Sequence, residues 1–234
     1  TQGIKYAGSK LKIIPYILEI IKDLEVKTVL DGFSGSTRVS QAFAQAGYDV
    51  TSSDIACWSE ACAKCFLLHD KDKQYYQKII DELNSLKGYN GWFTSHYGGT
   101  AKMKTKMPFQ KKNTRKLDAI RDKIEELKLN DVDKAVVLTS LLFALDSVDS
   151  TLGHFSSYLS SWSDRSYKDL ILKLPDLRKI EGQHRVVRED IFEVVKNNTF
   201  DLAYFDPPYG SNNEKMPPSR VRYNSYYHIW TTVV

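Results

Sequence analysis

The sequence predicts an α/β domain whose parallel sheet is interrupted by a long, mostly helical insertion. Three observations predict it. Residues 27–31, Lys-Thr-Val-Leu-Asp, make a short apolar strand that runs into a glycine-rich turn, Gly32-Phe-Ser-Gly35. Residues 37–46 then read as a helix with Gly47 past its end, and 48–54 as a second strand. Such a strand–helix–strand unit implies parallel pairing through a right-handed crossover. Strand patterning returns only at 185–188 and at 201–206, where Pro207-Pro208 stops it. The expected organisation is therefore one unit formed by residues 1–55 and 185–234, with 56–184 inserted between the second and third strands.

Length and composition agree with that plan. A chain of 234 residues suggests one domain with a large insertion or two modest ones. With 42% hydrophobic and 26% charged residues and a net charge of +4, disordered and coiled-coil classes are excluded. No apolar run approaches the ~20 residues that span a bilayer, and Thr1-Gln2-Gly3-Ile4-Lys5 is not a signal peptide. The mildly basic balance permits a nucleic-acid partner without arguing for one. Cys57, Cys62 and Cys65 are an odd, clustered set that fits no disulfide framework, which points to a reducing cytoplasm. Their spacing echoes an iron–sulfur run, but the fourth thiolate is missing, so they are expected to be helix-packing residues. The five histidines are scattered without zinc-like spacing, and no metal site is expected.

The remaining elements follow from periodicity. Residues 11–24 carry a helical stripe (Ile13, Ile14, Ile17, Leu18, Ile20, Ile21, Leu24), with Pro15 tolerable in a first turn. Residues 57–69 and 75–86 read as helices, and 88–99 as a glycine- and aromatic-rich loop. An amphipathic helix is expected over 114–129, with Thr114 as its N-cap and Leu117, Ile120, Ile124 and Leu127 on one face. Residues 132–145 are apolar on most sides and should be buried, and 146–167 are rich in serine and aromatics.

Two signals carry chemistry. The turn Asp31-Gly-Phe-Ser-Gly-Ser36 lies where open α/β sheets hold ligands, beyond the carboxyl ends of the strands. Asp54, at the end of the next strand, is an acceptor-only group suited to both hydroxyls of a ribose. The alternative is a tight turn plus an acid that caps a helix. The pyrophosphate fingerprint G-x-G-x-x-G is absent, which favours a cofactor without phosphates over NAD or FAD. The second signal is Asp206-Pro-Pro-Tyr209 directly after a strand. Two prolines remove two backbone donors and leave a rigid corner of acceptors. Such a corner can grip a planar exocyclic amine through its hydrogens, with Tyr209 as stacking face. Drawing both N–H bonds out of the ring plane would free a lone pair that the ring otherwise delocalises. The plainer reading is a Pro-Pro turn.

In this order, Lys5-Tyr-Ala-Gly-Ser-Lys10, Asp31-Gly-Phe-Ser-Gly35, Asp54 and Asp206-Pro-Pro-Tyr209 resemble the adenine-N6 DNA methyltransferases of the Dam-like (D12) family. The resemblance is good over residues 1–54 and 186–230. It is weaker through the insertion, where Asp118-Ala-Ile-Arg-Asp-Lys-Ile and the segment from Thr151 to Tyr158 look family-like. It implies a Rossmann-like sheet that binds S-adenosylmethionine, with a target-recognition region inserted before the strand that ends at Asp206. It implies a cofactor set of Tyr6, Lys10, Asp31, Phe33, Ser34, Gly35, Asp54, Ile55, Asp190 and Asp206. It also implies a catalytic corner of Asp206, Pro207, Pro208 and Tyr209. Asp190 would meet the cofactor's adenine amine, or else be a surface acid at a strand end. In the family the sheet continues past this corner, so its C-terminal strands are expected to be missing from this sequence.

DNA contacts are expected from composition. Residues 100–116 hold Lys102, Lys104, Lys106, Lys111, Lys112, Arg115 and Lys116 and no acid, which suits either phosphate contact or a solvated loop. Tyr158, Trp162, Arg165 and Tyr167 suit phosphates and base edges, or ordinary packing. Arg220, Arg222, Tyr223, Tyr226 and Tyr227 could close over an extruded base. The expected DNA-binding set is Lys111, Lys112, Lys116, Tyr158, Trp162, Arg165, Arg220 and Arg222. The resemblance thus implies a cytoplasmic, metal-free enzyme that moves a methyl group from S-adenosylmethionine to adenine N6 by direct displacement. Double-stranded DNA is its implied partner, a companion restriction endonuclease a further one, and a membrane none. The rival readings are methylation of cytosine N4 or an RNA base, and a catalytically incomplete DNA-binding subunit.

Overall fold

The computed structural model describes residues 1–6, 8–100, 107–156, 159–208 and 223–234. In chain order, helix α1 (Ile14–Ile21) opens with Pro15 in its first turn, where the missing N–H has no helical partner to lose. Strand β1 (Thr28–Asp31), helix α2 (Arg38–Gln45) and strand β2 (Asp49–Ser53) follow. Gly47, at φ 95°, ends α2 in the left-handed conformation, and its N–H returns to the Ala44 carbonyl at 3.1 Å. Next come α3 (Cys57–Leu67), α4 (Lys73–Ser85), α5 (Trp92–Tyr97), the two-residue strands β3 (Gly98–Gly99) and β4 (Phe109–Gln110), α6 (Lys111–Glu126) and α7 (Asp131–Val148). A 3-10 turn, Asp164–Tyr167, leads to β5 (Arg185–Val187), α8 (Ile191–Asn197), β6 (Leu202–Tyr204) and α9 (Tyr223–Val233).

The main sheet has the order β5-β2-β1-β6 with every pair parallel, as expected for a Rossmann-like fold. In register, Val29 faces Val50 on one side and Leu202 on the other. The chain moves outward from β1 to β2 to β5, then returns to place β6 on the far side of β1. That reversal makes the β1/β6 boundary the switch point, where crossover connections diverge and open a crevice at the carboxyl ends. Ile14, Ile21, Val39 and Phe43 cover one face of the sheet around Val29 and Val50. A larger apolar core joins Trp58, Ile80, Leu117, Ile120, Leu141 and Trp230 across the helices. Helix α7 is buried along most of its length, as expected, and Cys62 and Cys65 lie buried on α3. Among the described residues there is no His, Cys, Asp and Glu group fit to hold a metal ion, and no helix long and apolar enough to cross a membrane.

Two expectations are corrected. The segment expected as a loop over 88–99 contains α5 and β3. The cause lies in α6: the buried Asp118 carboxylate accepts the N–H groups of Gly91 (3.0 Å), Phe93 (2.8 Å) and Thr94 (3.0 Å), closing the start of α5. Helix α6 begins at Lys111, directly after β4, so Thr114 is not its N-cap. Thr114 sits buried in the first turn with its hydroxyl on the Lys111 carbonyl at 3.0 Å. Helices α8 and α9 were not foreseen. Asp190 starts α8 by accepting the Phe192 N–H at 2.9 Å.

Candidate functional site

Strand β1 ends in Asp31, and the turn after it depends on two glycines. A Cβ on Gly32 would stand 2.7 Å from the Phe205 ring, and Gly35, at φ 47°, would place one 3.2 Å from Tyr6. Asp54, just past β2, clasps this turn: its carboxylate accepts the Gly35 N–H at 2.8 Å and the Ala56 N–H, at the start of α3, at 2.9 Å. Burial raises the Asp54 carboxyl from its ordinary value, while these backbone hydrogen bonds oppose the rise. Asp31 is fully buried and accepts the Ser40 hydroxyl at 2.6 Å. Burial pushes its carboxyl up to about 7 against the Ser40 hydrogen bonds, and the nearby Asp54 and Asp206 add to the rise. Asp206 follows β6 on the other side of the switch point and forms an ion pair with Lys10 at 2.7 Å.

These groups line one cavity of about 740 Å³. Its wall includes all ten residues of the expected cofactor set, from Tyr6 and Lys10 to Asp190, together with Pro207 and Pro208 of the corner. The lining carries the acids Asp31, Asp54, Glu189, Asp190 and Asp206 beside the cations Lys10, Arg38 and Arg188, a mixed wall rich in hydrogen-bond acceptors. Phe33, Ile55 and Ile191 supply apolar surface for a flat ring. Beside Gly35, Tyr6 stacks on Tyr227 with ring centres 4.8 Å apart and planes 18° off parallel, and Trp58 lies against both at 5.8 and 5.5 Å.

The sequence matches the family described as D12 class N6 adenine-specific DNA methyltransferase over residues 6–228. The chain belongs to that family. It is 25% identical to "Modification methylase LlaI" of Lactococcus lactis subsp. lactis over 98% of this chain and 38% of the relative. It is 28% identical to "Modification methylase StsI" of Streptococcus sanguinis, over 98% of this chain and 36% of that protein. Identity to "Type II methyltransferase M.NlaIII" of Neisseria lactamica is 25%, over 98% and 69% respectively. The chain thus spans less than two-fifths of the first two relatives.

Within this D12 chain, several cavity residues escaped the sequence reading: Cys57, Trp58, Arg188, Ile191, His228 and, as a partner of Tyr6, Tyr227. Cys57 and Trp58 open α3 immediately after Asp54, so chain proximity to that acid was the available signal. The α9 residues had only an aromatic run to mark them. Of the residues expected to meet DNA, the described ones lie on α6 and in or just before the 3-10 turn, outside that cavity. Lys111 is exposed at the start of α6. Lys112 donates to the Tyr167 carbonyl at 2.6 Å and to Asp169 at 2.5 Å, tying α6 to the 3-10 turn. Lys116 is turned inward: its ammonium bonds the Asn84 carbonyl at 2.6 Å and also the Leu86 carbonyl, closing the end of α4. Arg165 is held by Asp149 at 2.9 Å, and the Trp162 ring lies against Gly99. Lys102, Lys104, Lys106, Tyr158, Tyr209, Arg220 and Arg222 fall outside the described residues, as does the Tyr223 side chain.

Proposed function

We propose that this chain methylates adenine N6 in DNA at specific sites, using S-adenosylmethionine, as the modification arm of a restriction system. The observation that carries the reading is the placement of the Asp206-Pro207-Pro208 corner across the β1/β6 switch point from Asp31 and Asp54, in one cavity. The residues present fit the cofactor. Asp54, at a strand end on the cavity wall, is proposed to meet the ribose hydroxyls, the acceptor-rich wall suits the cofactor's ammonium, and Phe33, Ile55 and Ile191 suit the adenine faces. When bound, S-adenosylmethionine supplies a methyl group made electrophilic by its sulfonium. The protein's own task is to prepare the nucleophile. The Asp206 carboxylate and the Pro207 carbonyl accept the two N6 hydrogens and turn the nitrogen lone pair toward the cavity. Lys10, paired with Asp206 at 2.7 Å, orients that carboxylate. Tyr209 is proposed as the stacking face for the target base.

A duplex adenine must leave the stack to reach this corner. Arg220, Arg222 and the aromatics after the corner are proposed to close over it, with Lys111 and Lys112 meeting phosphates. A cytoplasmic setting and a companion endonuclease complete the proposal, the latter supported by relatives that are modification methylases by name. The test is single-turnover methyl transfer with Asp206→Asn, which keeps one acceptor but adds a donor that opposes an amine N–H. Loss of at least about 100-fold in rate at saturating cofactor is expected, the scale of one removed transition-state hydrogen bond. Turnover within a few-fold of the unchanged protein would refute the role of Asp206.

A further inference from the structure

At the end of α7, away from the Asp206 corner, Asp149 is the centre of a buried polar node. Only 1% of it is exposed. Its Oδ1 accepts the Lys5 ammonium at 2.5 Å and the Arg165 Nε at 2.9 Å, and its Oδ2 accepts the Thr151 hydroxyl. Its backbone carbonyl takes Arg165 Nε at 2.8 Å and the Ser163 hydroxyl at 3.1 Å. One turn earlier, Asp146 accepts the Lys5 backbone N–H at 3.0 Å and stands 3.6 Å from the Lys5 ammonium. Residue 5 is thus gripped at both its amide and its side chain by acids 141 and 144 positions away. The next residue is Tyr6, whose ring stacks on Tyr227 and abuts Gly35 in the cavity wall.

We propose that Asp149 is a positioning residue that acts through Lys5 to set where Tyr6 stands in the cavity. The segment around Lys5 has no secondary structure of its own to fix it: residues 1–6 belong to neither helix nor strand. A charge-assisted contact on a buried carboxylate can hold an irregular segment: the Lys5 side chain keeps 37% of its surface exposed, but its ammonium is met by Asp149 at 2.5 Å and Asp146 at 3.6 Å. The same carboxylate also holds Arg165, which lies outside the cavity lining. The inference rests on the cofactor reading above and adds a role that no cavity-lining residue could reveal, since Asp149 does not reach the cavity.

The test measures binding of S-adenosylhomocysteine by calorimetry, together with the cofactor KM and kcat. Lys5→Met keeps the apolar stem and removes the ammonium. It is expected to weaken binding by about tenfold or more, since small displacements of a positioned wall have effects of this size. The rise should appear in the cofactor KM, with kcat at saturating cofactor little changed. Adding Asp149→Asn to Lys5→Met should cost less than about a further twofold, because two groups acting as one pair do not add. Lys5→Met binding within about threefold of the unchanged protein would overturn the proposal, as would a further tenfold loss in the double variant. Thermal melting identifies a variant that does not fold. Lys5→Met, which retains the Asp149–Arg165 pair, decides alone if the double variant is lost. No binding by the unchanged protein would instead refute the cofactor reading.

Discussion

Asp31 and Asp54 both lie beside the glycine turn, yet their surroundings set them different tasks. Asp31 is buried with a single side-chain donor, Ser40, and its carboxyl is pushed up to about 7 in the folded chain. An acid with a raised folded value destabilises the fold as it is forced to ionise. The stability gained by keeping Asp31 neutral is whole below about pH 4 and is lost as pH rises toward about 7, by up to about 4 kcal/mol. Asp31→Asn should therefore melt higher than the unchanged protein at pH 8 and show little or no advantage at pH 4. Melting curves across that range check it, and a constant difference would contradict the assignment. Asp54, by contrast, stands on the cavity wall with its carboxylate clasping the Gly35 and Ala56 N–H groups, and Ile55 and Ser59 are further donors to it. Asp54→Ala should weaken S-adenosylmethionine binding by about 1.5–3 kcal/mol, or 10- to 150-fold, read by calorimetry. Unchanged affinity would remove Asp54 from the site.

Local pattern announces some elements of this fold, while others exist only because of distant residues. The strand, glycine turn and helix from β1 to α2 were legible because apolar run, turn residues and Gly47 lie side by side in the chain. Helix α5 was not, since the carboxylate that closes its start belongs to Asp118, which reaches Gly91 from 27 residues away. Asp118→Ala would leave three N–H groups and the Thr94 hydroxyl without that acceptor and should cost about 2–4 kcal/mol in urea unfolding. Amide exchange at Phe93 and Thr94 should quicken first; protection equal to the unchanged protein would contradict the capping role. The basic stretch that ends on α6 likewise divides once its helix is known. Lys111→Gln with Lys112→Gln should lower the salt slope of DNA binding by about 2 units, at about 0.9 per phosphate contact. Lys116→Gln should instead lower stability, because its ammonium caps α4. DNA titrations at several salt concentrations separate the two, and an unchanged slope in the first variant would show those lysines to be solvated.

At the scale of the whole molecule, the parallel order β5-β2-β1-β6 explains why motifs far apart in sequence form one cavity. Asp31 ends β1, Asp54 and Asp206 follow its two neighbours β2 and β6, and the carboxyl ends of these three parallel strands share one edge of the sheet. The part of the cavity wall formed by Asp31, Asp54 and Asp206 was legible for that reason, since each of these acids ends or follows a strand. The aromatic cluster was not, because Trp58 and Tyr227 reach Tyr6 only through packing of α3 and α9. The most direct test of the whole reading is incubation of this chain with labelled S-adenosylmethionine and unmethylated double-stranded DNA, followed by digestion to nucleosides. The account predicts label in N6-methyladenine at a defined sequence, and none with Asp206→Ala. Label in cytosine or only in RNA, or transfer undiminished in Asp206→Ala, would contradict it.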